Sequence, residues 1–584
     1  MYVNDRFRYV KDRNNNDKTS MYMGKNNNNG EGYTKSSRRS FLGQAGLVAG
    51  AAILPAGFVR GTDNPPISFQ DNDKNELRWE VRLVQTGWNT YSTRFVYAPA
   101  WTWEPVKGAA AYIVAFADSE DKQASTIRLS TPYYDMTKEW SHIANGGVDI
   151  IAWAVDEKDN PICSAWRKRF NKSPAFDGKK QEALNWQDSL DRAMTYLLAP
   201  ARDKVEDFEG DMPRSCWSSC EESMSGQRRL MAFPALHHPS FIFAFLAYAQ
   251  QFPDSKLTPA ALKQSKQYAD WLLANRLPAT WRCGLFPFST IQQGKMEGYI
   301  EGKNITLFRA GRVGEAMVLL YKQFNEKKYL DYAAHIANTF TGLQQPNGSW
   351  PYRVNPLDGK VVETYTSNAV SPARLFGMLE QVNADANYAA SRKKAIEWMM
   401  ENPVKTKRWQ GMFEDIGAKI PYQNLEHWDT NELIRYIAHY HRNDPAFVKV
   451  AEDLNHYIED QFVVWQTGDK CVSDQCPTPT VMEQYACYRP MEVHTGMWIM
   501  SLIALHRSTG KEEYLAKAIN AGNAIVRAQQ KNGAYSTWGF DIRFGRPLLT
   551  MDWPGCNAVA VAALLQLNHY VNSLPGSADE KQVL

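Results

Sequence analysis

The stretch CPTPTVMEQYACYRPMEVH, from Cys476 to His494, sets Glu483 and Glu492 around Tyr485, Tyr488 and Arg489 and ends on His494. Two carboxyl groups facing one bond are what glycosidic cleavage requires, one protonated as acid and one ionised as base or nucleophile. A separation of about 5–5.5 Å gives retention and about 6.5–9.5 Å gives inversion. Neighbouring rings and cations are what divide two carboxyl pKa values into those roles. Further acids follow the same pattern: Glu414 and Asp415 in GMFEDIG, Glu426 beside His427 and Trp428, and Asp541 and Asp552 in WGFDIRFGRPLLTMDWPG. Any one of them alone could equally brace a loop or cap a helix.

Arg353, Arg489, Arg543 and Arg546 add guanidinium forks, which bind a carboxylate in bidentate fashion and would suit a uronic acid. The alternative is that they pair with the acids just named. Trp217, Trp350, Trp538 and Trp553 could stack on sugar faces or pack beneath loops. Tyr485, Tyr488, His427 and His494 could instead abstract the proton α to a uronate carboxylate, which is lyase chemistry. Cys216, Cys220, Cys471 and Cys476, with His237, His238 and His494, raise the question of a metal, but the spacing is not that of common zinc sites. A disulfide between Cys471 and Cys476, or between loops, is the preferred reading in an oxidising compartment. No metal or other cofactor is expected. G-x-x-x-x-G-K, G-x-S-x-G and H-E-x-x-H are absent from the chain, which favours cofactor-free carbohydrate chemistry.

The elements that must position these residues are legible in outline. A chain of 584 residues exceeds what a single core usually holds, so two folded parts are expected. With 66 basic and 63 acidic residues there is no electrostatic case for nucleic acid or a membrane surface as partner. The partner is expected to be an oligo- or polysaccharide, and the oligomeric state is left open. Residues 1–36 are Asn-rich and too polar to fold. Residues 37–62 contain SSRRSFLGQAGLVAGAAILPAGF, with Arg38 and Arg39 before a short Gly/Ala-rich apolar run. This resembles a twin-arginine export signal, which implies a periplasmic or secreted protein that touches the membrane only transiently; a short core helix or N-terminal anchor is the alternative. Residues 76–175 alternate apolar and polar positions in short runs such as AAYIVAFA and VDIIAWAV, the pattern of a small antiparallel β-sandwich. Within it WEPVKGAAAYIV resembles a fibronectin type III-like core, with Trp103 and Tyr112 as its aromatics.

Across residues 181–572 amphipathic runs alternate with runs apolar almost all round, twelve helices in six pairs, for example PAFVKVAEDLNHYIEDQF followed by HTGMWIMSLIALHR. A helix with one apolar stripe sits outside and one apolar all round sits inside, so the expected architecture is mainly α, an (α/α)6 toroid. Inner-to-outer connections are short. The outer-to-inner connections, at about 200–238, 277–309, 345–367, 402–427, 463–494 and 531–555, are all long and would gather over the N-termini of the inner helices. Most of the acids, arginines and aromatics singled out above fall in them.

Two of these loops echo each other. LQQPNGSWPY (Leu343–Tyr352) and AQQKNGAYSTW (Ala528–Trp538) each pass through Asn-Gly, which tolerates positive φ, into aromatics. Q-x-x-N-G with an aromatic, repeated around twelve helices, resembles the six-hairpin glycosidases and the toroid polysaccharide lyases and epimerases. Together with the export signal and the leading sandwich, the chain is most similar to the glycan-degrading toroids of Bacteroidetes, and among them to glycoside hydrolase family 154. That resemblance implies a β-glucuronidase-type activity. The expectation is therefore an exported glycoside hydrolase acting on a uronate-bearing glycan through two loop carboxylates. A polysaccharide lyase, an epimerase and a non-catalytic glycan-binding protein are the alternatives.

Overall fold

The computed structural model describes residues 91–574 except 119–124, 200–230, 290, 293–303, 364–367, 384–385, 411–421, 468, 470–475, 486 and 538–552. Its first part is a sandwich of strands β1 (Arg94–Phe95), β2 (Ala100–Thr102), β3 (Ala111–Ala117), β4 (Ser125–Leu129), β5 (Tyr133–Asp135), β6 (Gly146–Val155) and β7 (Pro161–Lys172). One sheet runs β1-β7-β6-β3-β4 and the other is the β2-β5 pair. All neighbours are antiparallel except β1, which runs parallel to β7. Trp103 and Tyr112 are buried edge to face in the core between the sheets, 5.5 Å apart.

Twelve α-helices follow among the described residues: α1 (Trp186–Leu198), α2 (Pro234–Gln251), α3 (Thr258–Ala274), α4 (Leu307–Phe324), α5 (Lys327–Leu343), α6 (Val370–Val382), α7 (Ala389–Met399), α8 (Trp428–Tyr440), α9 (Pro445–Phe462), α10 (Glu492–Thr509), α11 (Glu512–Arg527) and α12 (Pro554–Asn572). The first starts later than its apolar pattern suggests. Asn185 caps it by accepting from Asp188 N, and the preceding residues are held to α11, with Gln181 N and Leu184 N donating to Asn520 and Asn523.

The even-numbered helices pack in sequence, α2 to α4 to α6 to α8 to α10 to α12, and α12 packs back on α2, so the inner ring is closed. Their composition explains why. Every residue of α10 from Glu492 to Ile503 is buried, whereas outer α9 leaves Lys449 and Asp453 in solvent. The architecture is an (α/α)6 toroid. Each of the first five inner helices packs mainly on the outer helix that follows it through a short connection, and α1 covers α12. The tight hairpins are thus inner-then-outer rather than the outer-then-inner pairs of the sequence pattern, because only the short links hold their helices side by side. The long connections open at the N-terminal ends of the inner helices.

The two echoing loops are equivalent in structure. Gln344 Nε2 donates to Gly348 O at 2.9 Å and to Ser391 O on the neighbouring outer helix. Gln529 Nε2 does the same with Gly533 O at 2.9 Å and Ser189 O. Gly348 and Gly533 have φ of +94° and +93°. A Cβ on either would press into a backbone carbonyl, of Lys394 or Arg192.

The sandwich docks on the end of α9. Asp460 Oδ1 accepts the N–H groups of Val96 and Tyr97 at 2.9 and 2.7 Å, and Tyr97 Oη donates to Glu459 at 2.7 Å. Glu459 is in turn held by Lys517 from α11 at 2.8 Å.

Gly533→Ala and Gly348→Ala are each expected to destabilise the fold by roughly 1–3 kcal/mol. Gly108→Ala, also at positive φ but with open space around it, should cost less. Equal losses in thermal melts of the three variants would contradict the close-approach role.

Candidate functional site

The mouth of the ring is organised around the start of α8. Leu425 and Glu426 lie beside β11 (Thr480–Gln484), which also pairs with β10 (Val463–Val464): Glu426 bridges to Gln484, and Tyr485 N donates to Leu425 O at 3.1 Å. At Trp428 the chain turns into helix. The Glu426 carboxylate folds back over this turn, where Oε2 accepts the backbone N–H of Trp428 and, at 3.4 Å, of Asp429. Helix N-terminal N–H groups favour a carboxylate in its ionised form.

Asp429 comes next and is completely buried. Burial first, and then the like charges of Glu426 and Glu432, push its carboxyl well above the ordinary carboxylate range, against a smaller opposing pull from Asn368. Asn368 stands just before α6, where its Oδ1 caps Val370 N at 2.8 Å while its Nδ2 donates to Glu432 at 2.9 Å. Glu432 also accepts from Trp428 Nε1 at 3.1 Å and pairs with Arg312 of α4 at 3.2 Å. Two carboxyl groups three residues apart therefore have opposed environments: Glu426 is held by backbone donors, and burial and like charge favour the protonated form of Asp429.

Two histidines flank this pair. His427 Nε2 lies 2.8 Å from Met482 O and its Nδ1 lies 3.0 Å from Asn431 Nδ2. The His494 ring is 4.9 Å from that of His427 and edge-on to Trp428 at 5.9 Å. Burial pushes His427 down to about 4, and burial followed by His427 pushes His494 well below its usual value, so both imidazoles are neutral at pH 7.

The stretch from Cys476 to His494 forms the wall beside them, as a hairpin of β11 and β12 (Cys487–Pro490) leading into α10. Glu483 is buried and accepts from Gln484 Nε2 at 3.0 Å. Glu492, the first residue of α10, accepts from Thr537 Oγ1 at 2.6 Å and Asn557 Nδ2 at 3.1 Å, which ties the hairpin to the last loop. The Tyr485 hydroxyl bonds Gln461 and, at 2.8 Å, Ser92 of the sandwich side. Arg489 is half-buried on β12, and Tyr488 lies on the same strand. Cys476 is a buried free thiol pushed up to about 12 by that burial, and Cys471, its expected bridge partner, lies outside the described residues.

Other expected residues are dispersed. Arg353, on β9 (Arg353–Val354), which pairs with β8 (Ile305–Thr306), contacts Glu363 at 3.2 Å. Trp350 is fully buried and donates to Phe340 O at 2.9 Å, as a peg beneath its loop. Trp553 is buried at the start of α12. His237 packs against Gly555, and His238 is enclosed by Tyr268 and Trp271. Glu414, Asp415, Asp541, Asp552, Arg543, Arg546, Trp217, Trp538, Cys216, Cys220 and Cys471 lie outside the described residues. Among the described residues no group of three or more His, Cys, Asp or Glu side chains is arranged to hold a metal ion.

Sequence reasoning passed over Asp429, Glu432, Asn368 and Arg312. The signal was present in EHWDTNE: acids at 426, 429 and 432 recur at a spacing of three where a helix begins. Spacing of three keeps such a row on one face of the helix.

No family model matches the sequence, and no curated protein matches it. Among solved structures, a family 76 glycoside hydrolase from a bovine Bacteroides thetaiotaomicron strain covers 82% of this chain and 98% of its own, at 11% identity and a TM-score of 0.46. Cellobiose 2-epimerase from Spirochaeta thermophila covers 66% and 99%, at 10% identity and 0.45. Unsaturated glucuronyl hydrolase from Streptococcus agalactiae covers 68% and 98%, at 8% identity and 0.43. The toroid is defined by its own closed ring, independently of these superpositions.

His238, His427 and His494 all have pKa values depressed by burial, so the folded state binds fewer protons than the unfolded chain in acid. Their stabilisation is complete above about 6.5 and is lost as the pH falls towards about 4. Asp429 opposes them in the same window, since its raised pKa makes the folded state the better proton binder. Between pH 7 and about 4 the melting temperature of His427→Gln should therefore fall less than that of wild type, and parallel profiles would contradict the neutral-imidazole assignment.

Proposed function

We propose that the protein is a glycoside hydrolase acting on a uronic-acid-bearing glycan, with Asp429 as general acid and Glu426 as its ionised partner. The observation that carries this reading is the burial of Asp429 between Glu426 and Glu432 at the mouth of the ring, which pushes its carboxyl up. Asp429 gives its proton to the glycosidic oxygen, the bond from that oxygen to the anomeric carbon breaks, and the leaving sugar departs as an alcohol. Glu426 either takes a proton from the incoming water or attacks the anomeric carbon itself. Neutral His494 can hydrogen-bond a sugar hydroxyl without adding charge, while His427, held on both ring nitrogens by Met482 and Asn431, fixes its position. Arg309 in the first turn of α4 and Arg489 on β12 offer guanidinium groups that suit a uronate carboxylate, whereas Arg353 on β9 is already paired with Glu363.

The neutral His427–His494 pair supports a second reading, β-elimination. One imidazole would take the proton α to an arginine-neutralised carboxylate and the glycosidic bond at the β carbon would break, leaving an unsaturated uronate.

A panel of aryl glycosides and uronate polymers, followed for aryl alcohol, reducing ends and near-ultraviolet absorbance, separates the two. Release from glucuronides without an absorbance rise is expected; turnover on neutral glycosides alone would remove the uronate from the proposal. Asp429→Asn should lower kcat by about 10²–10⁴-fold with an unchanged melting temperature. Near-normal turnover in that variant would dismiss Asp429 as the acid.

The twin-arginine segment supports export, and Arg38→Lys with Arg39→Lys should leave the protein in the cytoplasmic fraction of an expressing cell. Unimpaired periplasmic recovery would argue against that route.

A further inference from the structure

The bore of the ring holds a second feature, on the side away from the long loops. A cavity of about 630 Å³ is lined by all six inner helices from beyond their first turns to their C-terminal ends. Cavities of roughly 300–1,000 Å³ are the size that takes a small ligand. This one is strongly cationic. Arg312, Lys322, Arg374, Arg435, Arg442 and Arg507 line it, against the single acid Glu315.

Internal pairing does not cancel that charge. Glu315 is taken by Arg374 at 2.8 Å, and Arg312 is taken by Glu432 at 3.2 Å. Lys322, Arg435 and Arg442 have no ion pair among the described residues, and Arg507 lies 4.6 Å over the Tyr570 ring. Complementing helix dipoles accounts for Lys322 and Arg507, which sit in the last turns of α4 and α10. It does not account for Arg312, Arg374 and Arg435, which lie well inside α4, α6 and α8. Arg435 is the most informative of these. Burial first, then Arg374, pulls its guanidinium down to about 9 against the opposing pull of Glu432 and Glu315, and both of those carboxylates are already ion-paired with other arginines. The field is also felt by His439, which is lowered by burial and then by Arg374, Lys322 and Arg442.

We infer that this cavity is a binding site for a small polyanion, a ligand carrying two or more sulfate, phosphate or carboxylate groups, held by Arg435 and Arg374 inside and by Lys322, Arg442 and Arg507 at the rim. The ligand supplies the charge that the inner arginines lack, and it enters from the face opposite the catalytic mouth. The site is therefore distinct from the carboxyl pair and holds whether or not the hydrolase reading does.

Calorimetric titration of the purified protein with inorganic pyrophosphate and with a trisulfated disaccharide, and with a neutral disaccharide as control, tests this. One site per chain is expected for at least one anion, tighter than about 1 mM at low salt and weakened as salt rises. The anion that binds tells whether phosphate or sulfated sugar is the source. Arg435→Gln should weaken binding by about tenfold or more without lowering the melting temperature, since it removes an unbalanced buried charge. Arg442→Ala, at an exposed rim position, should weaken it too and carries no folding risk. No binding of either anion, binding of the neutral sugar equal to that of the anions, or unchanged affinity in both variants would overturn the inference.

Discussion

Closure of the inner ring, with α12 packed back on α2, is the constraint on which the rest depends. Six helices apolar nearly all round can bury their surface only against each other and against an outer layer, and a closed ring leaves a bore along its axis. Polar groups on its inner face must find partners there or meet a ligand. The outer helices need one apolar stripe and the short connections hold them in place. The long connections are left free of that task at the opposite end, where they build the mouth.

One face of α8 joins the two ends of the bore. Asp429, Glu432, Arg435 and His439 follow each other at helical spacing, changing from acid at the mouth to base at the rear. The Glu432–Arg312 pair stands between the two charges. It gives Asp429 an acidic neighbour that favours its protonated form, and it takes up one of the arginines that would otherwise add to the cationic cavity. Front and rear thus share a set of buried charges in which each member sets the state of the next.

The toroid was legible because its signal is repeated: alternation of helix type, lopsided connections and the doubled Q-x-x-N-G turn all describe the same ring. The hydrogen bonds of Gln344 and Gln529 are the physical content of that repeat. The candidate site was less legible. Glu483 and Glu492 stand out in a conspicuously polar loop, where Glu492 also joins Thr537 and Asn557. Asp429 lay one residue past Trp428 in what reads as ordinary helix. Glu426 and Glu432 stand three residues to either side of it in the sequence, but its burial and its contact with Asn368 before α6 are made across the ring and appear in no local pattern. The rear cavity was invisible for the same reason, since its arginines are scattered over four helices.

The account turns on whether Asp429 holds its proton at neutral pH. An infrared titration comparing wild type with Asp429→Asn reads this directly. A protonated carboxyl band that persists through pH 7 in the wild type and is missing from the variant is predicted. If the two spectra agree at pH 7, Asp429 is ionised there and the division of the carboxyl pair into acid and base is wrong.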